Sequence, residues 1–138
     1  MYEMTAQYRQ GVEFRACARG HEIVCDQPTS NGGADQGLTP PELLLAALAT
    51  CSGYYAVEYL RTRNLNTDRL TVRVTAEKSS TRPARLEKFA VMVDAPFVPE
   101  DHYQGLRRAV EACLIEKTLL APSSVQVELS LAESYSHT

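Results

Sequence analysis

Gly37-Leu38-Thr39-Pro40-Pro41-Glu42-Leu43-Leu44-Leu45-Ala46-Ala47-Leu48-Ala49-Thr50-Cys51 is the stretch that decides how this chain folds. Thr39 is a hydroxyl residue suited to capping a helix N-terminus. Pro40 fits the first helical position, where its missing N–H leaves nothing unpaired, and Glu42, three residues after Thr39, completes a capping box. The pattern predicts a helix from this cap to about Arg63. Arg61 and Arg63 then stand at the negative end of its dipole, and Asn64 ends it. From Leu43 to Ala49 the helix has no polar face. A helix that is apolar all round must be covered all round, and in a chain of 138 residues a second subunit is the expected source of the missing cover.

Upstream of this helix the chain reads as short strands. Thr5 to Arg9 is a first candidate, with a turn near Gln10-Gly11. Val12, Phe14, Ala16 and Ala18 alternate with Glu13, Arg15 and Cys17, the period of a half-buried strand. Arg19-Gly20 makes the next turn, and Ile23 and Cys25 continue the apolar face on the return strand. In such a hairpin Cys17 and Cys25 leave opposite faces of the sheet and cannot form a disulfide. Residues 28–38 form a loop with three glycines but no Gly-Lys-Ser/Thr ending, which excludes a phosphate-cradling P-loop.

Downstream, Leu70, Val72, Val74 and Ala76 alternate with Thr71, Arg73, Thr75 and Glu77 in an amphipathic strand, and a second strand is expected from about Leu86 to Ala95. Pro99-Glu100-Asp101 opens a second helix with the stripe Tyr103, Leu106, Val110, Cys113 and Leu114. After Ala121-Pro122, the alternation of Val125, Val127, Leu129 and Leu131 predicts a last strand. The order β-β-β-α-β-β-α-β makes the protein α+β with antiparallel hairpins, without the βαβ alternation of a dinucleotide-binding fold. One domain over 1–138 is expected.

Lys and Arg number 14 against 17 Asp and Glu, a net charge of −3, so no nucleic-acid partner is expected. The start, Met1-Tyr2-Glu3-Met4-Thr5, lacks the basic-then-apolar order of a signal peptide. The charge-free run from Leu43 to Val57 falls short of the ~18–20 residues that span a bilayer. A cytoplasmic protein without a membrane span is expected, with its four cysteines reduced. His21, His102 and His137 are scattered, and Cys51 and Cys113 lie 62 residues apart, so neither a metal site nor a Cys-x-x-Cys loop is present. No cofactor is expected. The remaining chemistry is that of thiols: Cys51 and Cys113 either fill cores as small hydrophobes or react. Tyr54 and Tyr55, three and four residues after Cys51, either wall an apolar pocket beside it or pack in the core. Gly53, inside a helix at a cost of about 1 kcal/mol, points to close packing there.

The run Gly37 to Cys51, with Ala109-Val110-Glu111-Ala112-Cys113, Thr118-Leu119 and a proline before the last strand, resembles the osmotically inducible protein C / organic hydroperoxide resistance (OsmC/Ohr) family over nearly the whole chain. The resemblance implies an intertwined homodimer with long central helices and sheets outside. It also implies a thiol peroxidase. Cys51 would attack an organic, lipid-like hydroperoxide, Cys113 would resolve the sulfenic acid as a disulfide, and a dithiol reductant would restore both thiols. An arginine from the N-terminal strands would hold Cys51 as thiolate; Arg19 is the best positional match and Arg15 the second. Glu42 matches the glutamate that orients this arginine. Its step of nine residues to Cys51 is one shorter than in the hydroperoxide-resistance branch and closer to the OsmC-like branch. Nine steps leave Glu42 roughly opposite Cys51 on a regular helix. A rival reading keeps the fold for binding a small hydrophobic ligand in the dimer groove, with the cysteines as packing.

Overall fold

The capping box forms as the sequence predicts. In the computed structural model, which describes residues 1–132, the Thr39 N–H donates to Glu42 Oε1 at 2.9 Å and the Glu42 N–H donates to Thr39 Oγ1 at 3.4 Å. From this cap α1 runs over Pro40–Thr62. It stops where Asn64 turns left-handed (φ 55°), with Leu65 N–H bonded to Leu60 C=O and Asn64 N–H to Arg61 C=O, the paired bonds of a Schellman ending.

Three strands precede α1: β1 (Thr5–Gln10), β2 (Glu13–Ala18) and β3 (His21–Cys25), paired antiparallel in that order. The β2–β3 turn places both Arg19 (φ 52°) and Gly20 (φ 81°) at positive φ, as a two-residue hairpin turn requires. Phe14 pairs with Cys25 and Cys17 with Glu22, so the two cysteines do leave opposite faces. A second antiparallel sheet joins β4 (Thr71–Lys78) to β5 (Leu86–Asp94), with Val72 opposite Val93 and Val74 opposite Val91 on its half-buried face. The helices α2 (Tyr103–Glu111) and α3 (Leu114–Leu120) follow.

The core lies where α1 meets β4 and α2. Leu48, Ser52, Ala56 and Leu60, one helical turn apart, are the buried stripe of α1. Among the described residues α1 is a helix long and apolar enough to cross a bilayer, with a mean hydropathy of 1.3 over its most apolar window. This fold uses it instead as the central helix, packed on β4 and α2. Gly53 faces the side chain of Val72, and a Cβ there would sit 3.5 Å from Val72 Cγ2, an ordinary contact. Gly53 thus packs on β4 at ordinary van der Waals distance.

Two features depart from the sequence expectation. The second helix is two helices. At Ala112 and Cys113 the N–H groups bond back three residues, to Ala109 and Val110, and Cys113 takes an extended ψ of 131° before α3 begins. Residues 111–115 are all compatible with a helix, so nothing local announces the break. Leu114, placed on the buried stripe by periodicity, is exposed as a result. The expected last strand, Val125 to Leu131, is not formed among the described residues: Val125 is 88% exposed, and the segment pairs with no neighbour. Its alternation is that of a strand, but a strand exists only against another edge.

A further feature of the fold is its incomplete cover. The first sheet makes its main contacts within itself, and none of the helices lays a broad face on it. Phe14 and Ile23, on its apolar face, are 41% and 44% exposed. Leu44 at the start of α1 is likewise exposed. The side of α1 that faces away from β4 and α2, and most of the apolar face of the first sheet, are thus left open by this chain.

Candidate functional site

Cys51 stands in the middle of α1, half-buried, and Cys113 is 0% exposed at the joint between α2 and α3. Both are free thiols, and the fold sets their side chains against each other. The helix break makes this possible, because the joint turns Cys113 inward onto α1 while the first N–H groups of α3 follow it. Burial pushes the Cys51 thiol up from its ordinary value, and the adjacent Cys113 side chain pushes the same way; the N–H groups of Ile115 and Leu114 pull against them. The net direction is upward, toward the neutral thiol. No arginine is among the groups acting on Cys51.

Arg19 lies on the exposed β2–β3 turn, in the sheet on which none of the chain's helices lays a broad face, and makes no ion pair among the described residues. Arg15 sits within the same sheet and pairs with Glu22 at 3.4 Å. Glu42 is occupied by the cap. Its Oε1 accepts from both the backbone N–H and, at 2.8 Å, the hydroxyl of Thr39, and these bonds hold its carboxyl below the usual range. The structure therefore brings together Cys51 and Cys113, and leaves Arg19 and Glu42 apart from them within one chain. Tyr54 is 61% exposed and packs edge-on against Tyr55, ring centroids 5.4 Å apart. A cavity of about 450 Å³ opens elsewhere, between β5 and α2, lined by Val91, Val93, Tyr103, Leu106 and Val110 with Arg107 and Glu111 at its rim.

Among the described residues no group of His, Cys, Asp and Glu has the arrangement of a metal site; His137 lies outside them. Two clusters escaped the sequence reading. Asp26, buried just after β3, accepts from the N–H groups of Gln27, Ala34 and Gln36 at 2.8, 3.2 and 3.1 Å. It folds the loop back so that Leu38 bridges to Cys25 and the chain enters α1. Gly33 and Gly37 lie against the backbone carbonyls of Gln27 and Val24, where no Cβ fits. The second cluster joins Tyr59 on α1 to His102, through Tyr59 Oη and His102 Nδ1 at 2.9 Å. A separation of 43 residues gives that pair no local sequence signal.

The model of the OsmC-like protein family matches residues 32–128. No curated protein matches the chain. Among solved structures, a Psychrobacter arcticus protein described as an osmotic stress induced and detoxification response protein superposes with a TM-score of 0.76 at 19% identity, over 86% of this chain and 88% of its own. An OsmC-like protein from Mycoplasma pneumoniae gives 0.73 at 19% identity, over 87% of each chain. An organic hydroperoxide resistance protein from Elizabethkingia anophelis gives 0.64 at 19% identity, over 86% of this chain and 88% of its own. At these identities the likeness is one of fold.

Proposed function

This chain belongs to the OsmC-like protein family, and from that premise we propose that it is a cytoplasmic thiol-dependent peroxidase reducing organic, lipid-like hydroperoxides to alcohols. One observation carries the reading: a half-buried Cys51 set against a fully buried Cys113 from 62 residues away. The pair has the asymmetry that a two-cysteine peroxidase needs, one sulfur open to substrate and one held behind it. In the reaction the Cys51 thiolate attacks one peroxide oxygen, the O–O bond breaks, and the alcohol leaves with a proton, giving Cys51–SOH. The Cys113 sulfur then attacks the Cys51 sulfur, water leaves, and a disulfide forms; an external dithiol reduces it, becoming a disulfide itself. The name borne by the Elizabethkingia anophelis neighbour supports the substrate class. No cofactor takes part.

A thiol pushed upward by burial is a poor nucleophile at pH 7, so the reaction needs a cation at Cys51. The uncovered first sheet supplies the means. In a homodimer, that sheet of one protomer packs on α1 of its partner and carries Arg19 toward the partner's thiol. Tyr54 and Tyr55 then wall the substrate, and Glu42 at the mouth of α1 faces the arriving arginine. One observation favours a second reading, a non-catalytic binder of a small hydrophobic ligand: within the chain Cys51 is driven toward its neutral form. Reduced protein treated with one equivalent of cumene hydroperoxide separates the two. Rapid appearance of a Cys51–Cys113 disulfide with cumyl alcohol supports the peroxidase; two thiols left free and unoxidised refute it and favour the binder.

A further inference from the structure

Tyr59 is held on three sides. Its hydroxyl meets His102 Nδ1 at 2.9 Å, with the two rings edge-to-face. The Arg63 guanidinium lies 3.7 Å over its ring, and Arg63 also donates to the Tyr59 carbonyl at 3.1 Å. The first turn of α2 rests against its outer end at Gly105. A Cβ on Gly105 would lie 2.8 Å from Tyr59 Cζ and closer still to the hydroxyl, so only glycine lets α2 come this near. Tyr59 and His102 are both half-buried at this junction.

The place of this contact on the two helices gives it a consequence. Cys51 and Tyr59 are eight residues apart on α1; Gly105 and Cys113 are eight residues apart along α2 and its joint. At 1.5 Å per residue each span is about 12 Å. Tyr59 lies against Gly105 at one end and Cys51 neighbours Cys113 at the other, so α2 runs antiparallel to α1, with two juxtapositions at matched spacing. A slide of α2 by one residue would break both contacts together.

We propose that Tyr59, its hydroxyl bonded to His102 and its ring seated on Gly105, is the positioning residue that sets the register of α2 on α1 and so holds Cys113 opposite Cys51. The proposal deepens the peroxidase reading and rests on it for its functional meaning. Tyr59 touches neither thiol; it acts on the closing step alone. That step joins Cys51–SOH and the Cys113 thiol into a disulfide and releases water, and it depends on the distance and angle between two sulfurs.

The test follows the two steps separately in the full chain. Cumene hydroperoxide is mixed with reduced protein, and Cys51 sulfenic acid and the Cys51–Cys113 disulfide are each quantified by quenched mass spectrometry. In Tyr59→Phe, which keeps the ring and removes the hydroxyl, the sulfenic acid forms at the wild-type rate and disulfide closure slows about fivefold or more, the scale of one lost hydrogen bond. His102→Ala behaves in the same way, and His102→Asn, which keeps an acceptor near the Nδ1 position, restores closure. Closure at the wild-type rate in Tyr59→Phe overturns the proposal, as does failure of His102→Asn to rescue when its melting temperature matches that of the wild type. A parallel series uses diamide, whose N=N bond takes up two hydrogens as the two thiols become a disulfide. It reads the register without peroxide. A wild-type protein inert to the hydroperoxide sinks the peroxidase reading, while the diamide rates of wild type and Tyr59→Phe still decide the positioning role: slower closure in the variant upholds it, and equal closure ends it.

Discussion

A thiol reacts as its thiolate, and Cys51 is held on the neutral side by burial and by Cys113 beside it. The sign of its pH dependence follows. Within one chain Cys51 becomes reactive only as pH rises past the ordinary thiol range, whereas in the proposed homodimer a guanidinium brought in by the partner would move that onset down. Arg19→Ala therefore shifts the midpoint of iodoacetamide alkylation at Cys51 to higher pH and slows peroxide consumption at pH 7 by about tenfold or more; an unchanged alkylation profile would remove Arg19 from the site. Cys113 is buried and touches no solvent, so its loss leaves the first step intact. Cys113→Ser is expected to consume one equivalent of hydroperoxide and stop, with dimedone-reactive sulfenic acid on Cys51 by mass spectrometry.

At the scale of elements, what could be read in the sequence was what the sequence encodes locally. Thr39, Pro40, Glu42 and Asn64 announce both ends of α1 because caps act within four residues of themselves. Thr39→Ala is expected to cost about 1 kcal/mol, a fall of about 3–4 °C in melting temperature for a chain of this length, measured by calorimetry. The β2–β3 hairpin was legible for the same reason. The break at Cys113 was not, since its residues suit a helix and the turn is made by burial against α1. The approach of Cys51 to Cys113 was implied only by family resemblance, and the Tyr59–His102 bond by nothing in either segment. Asp26 was missed because its partners are backbone N–H groups, which carry no side-chain signature. Those bonds, Gln27 first, hold its carboxyl below the usual aspartate range. The stability they lend is complete above the unfolded value near pH ~3.9 and is lost as pH falls through the lower folded value. Asp26→Asn should lower the melting temperature at neutral pH and flatten its fall in acid, checked by thermal melts at a series of pH values.

For the whole molecule, the missing cover matters most. The apolar face of the first sheet, with Phe14 and Ile23, and the open side of α1 have no partner in this chain. Ile23→Glu places a charge on that face. It is harmless to an isolated chain, and it should turn a dimer into monomers when molar mass is measured by light scattering; a wild type that is already monomeric would refute the intertwined assembly. The alternating segment from Val125 to Leu131 is equally exposed, and the proposed homodimer would offer it a sheet edge to join. In the proposed homodimer the first sheet would find its cover on another molecule, and this would also change the order of the folding reaction. In that assembly the last step would be a collision between two chains, so the rate of regaining the native tyrosine fluorescence should rise in proportion to protein concentration, and in very dilute solution the chain should wait, with α1 formed and its thiols unarmed, for a second copy to arrive.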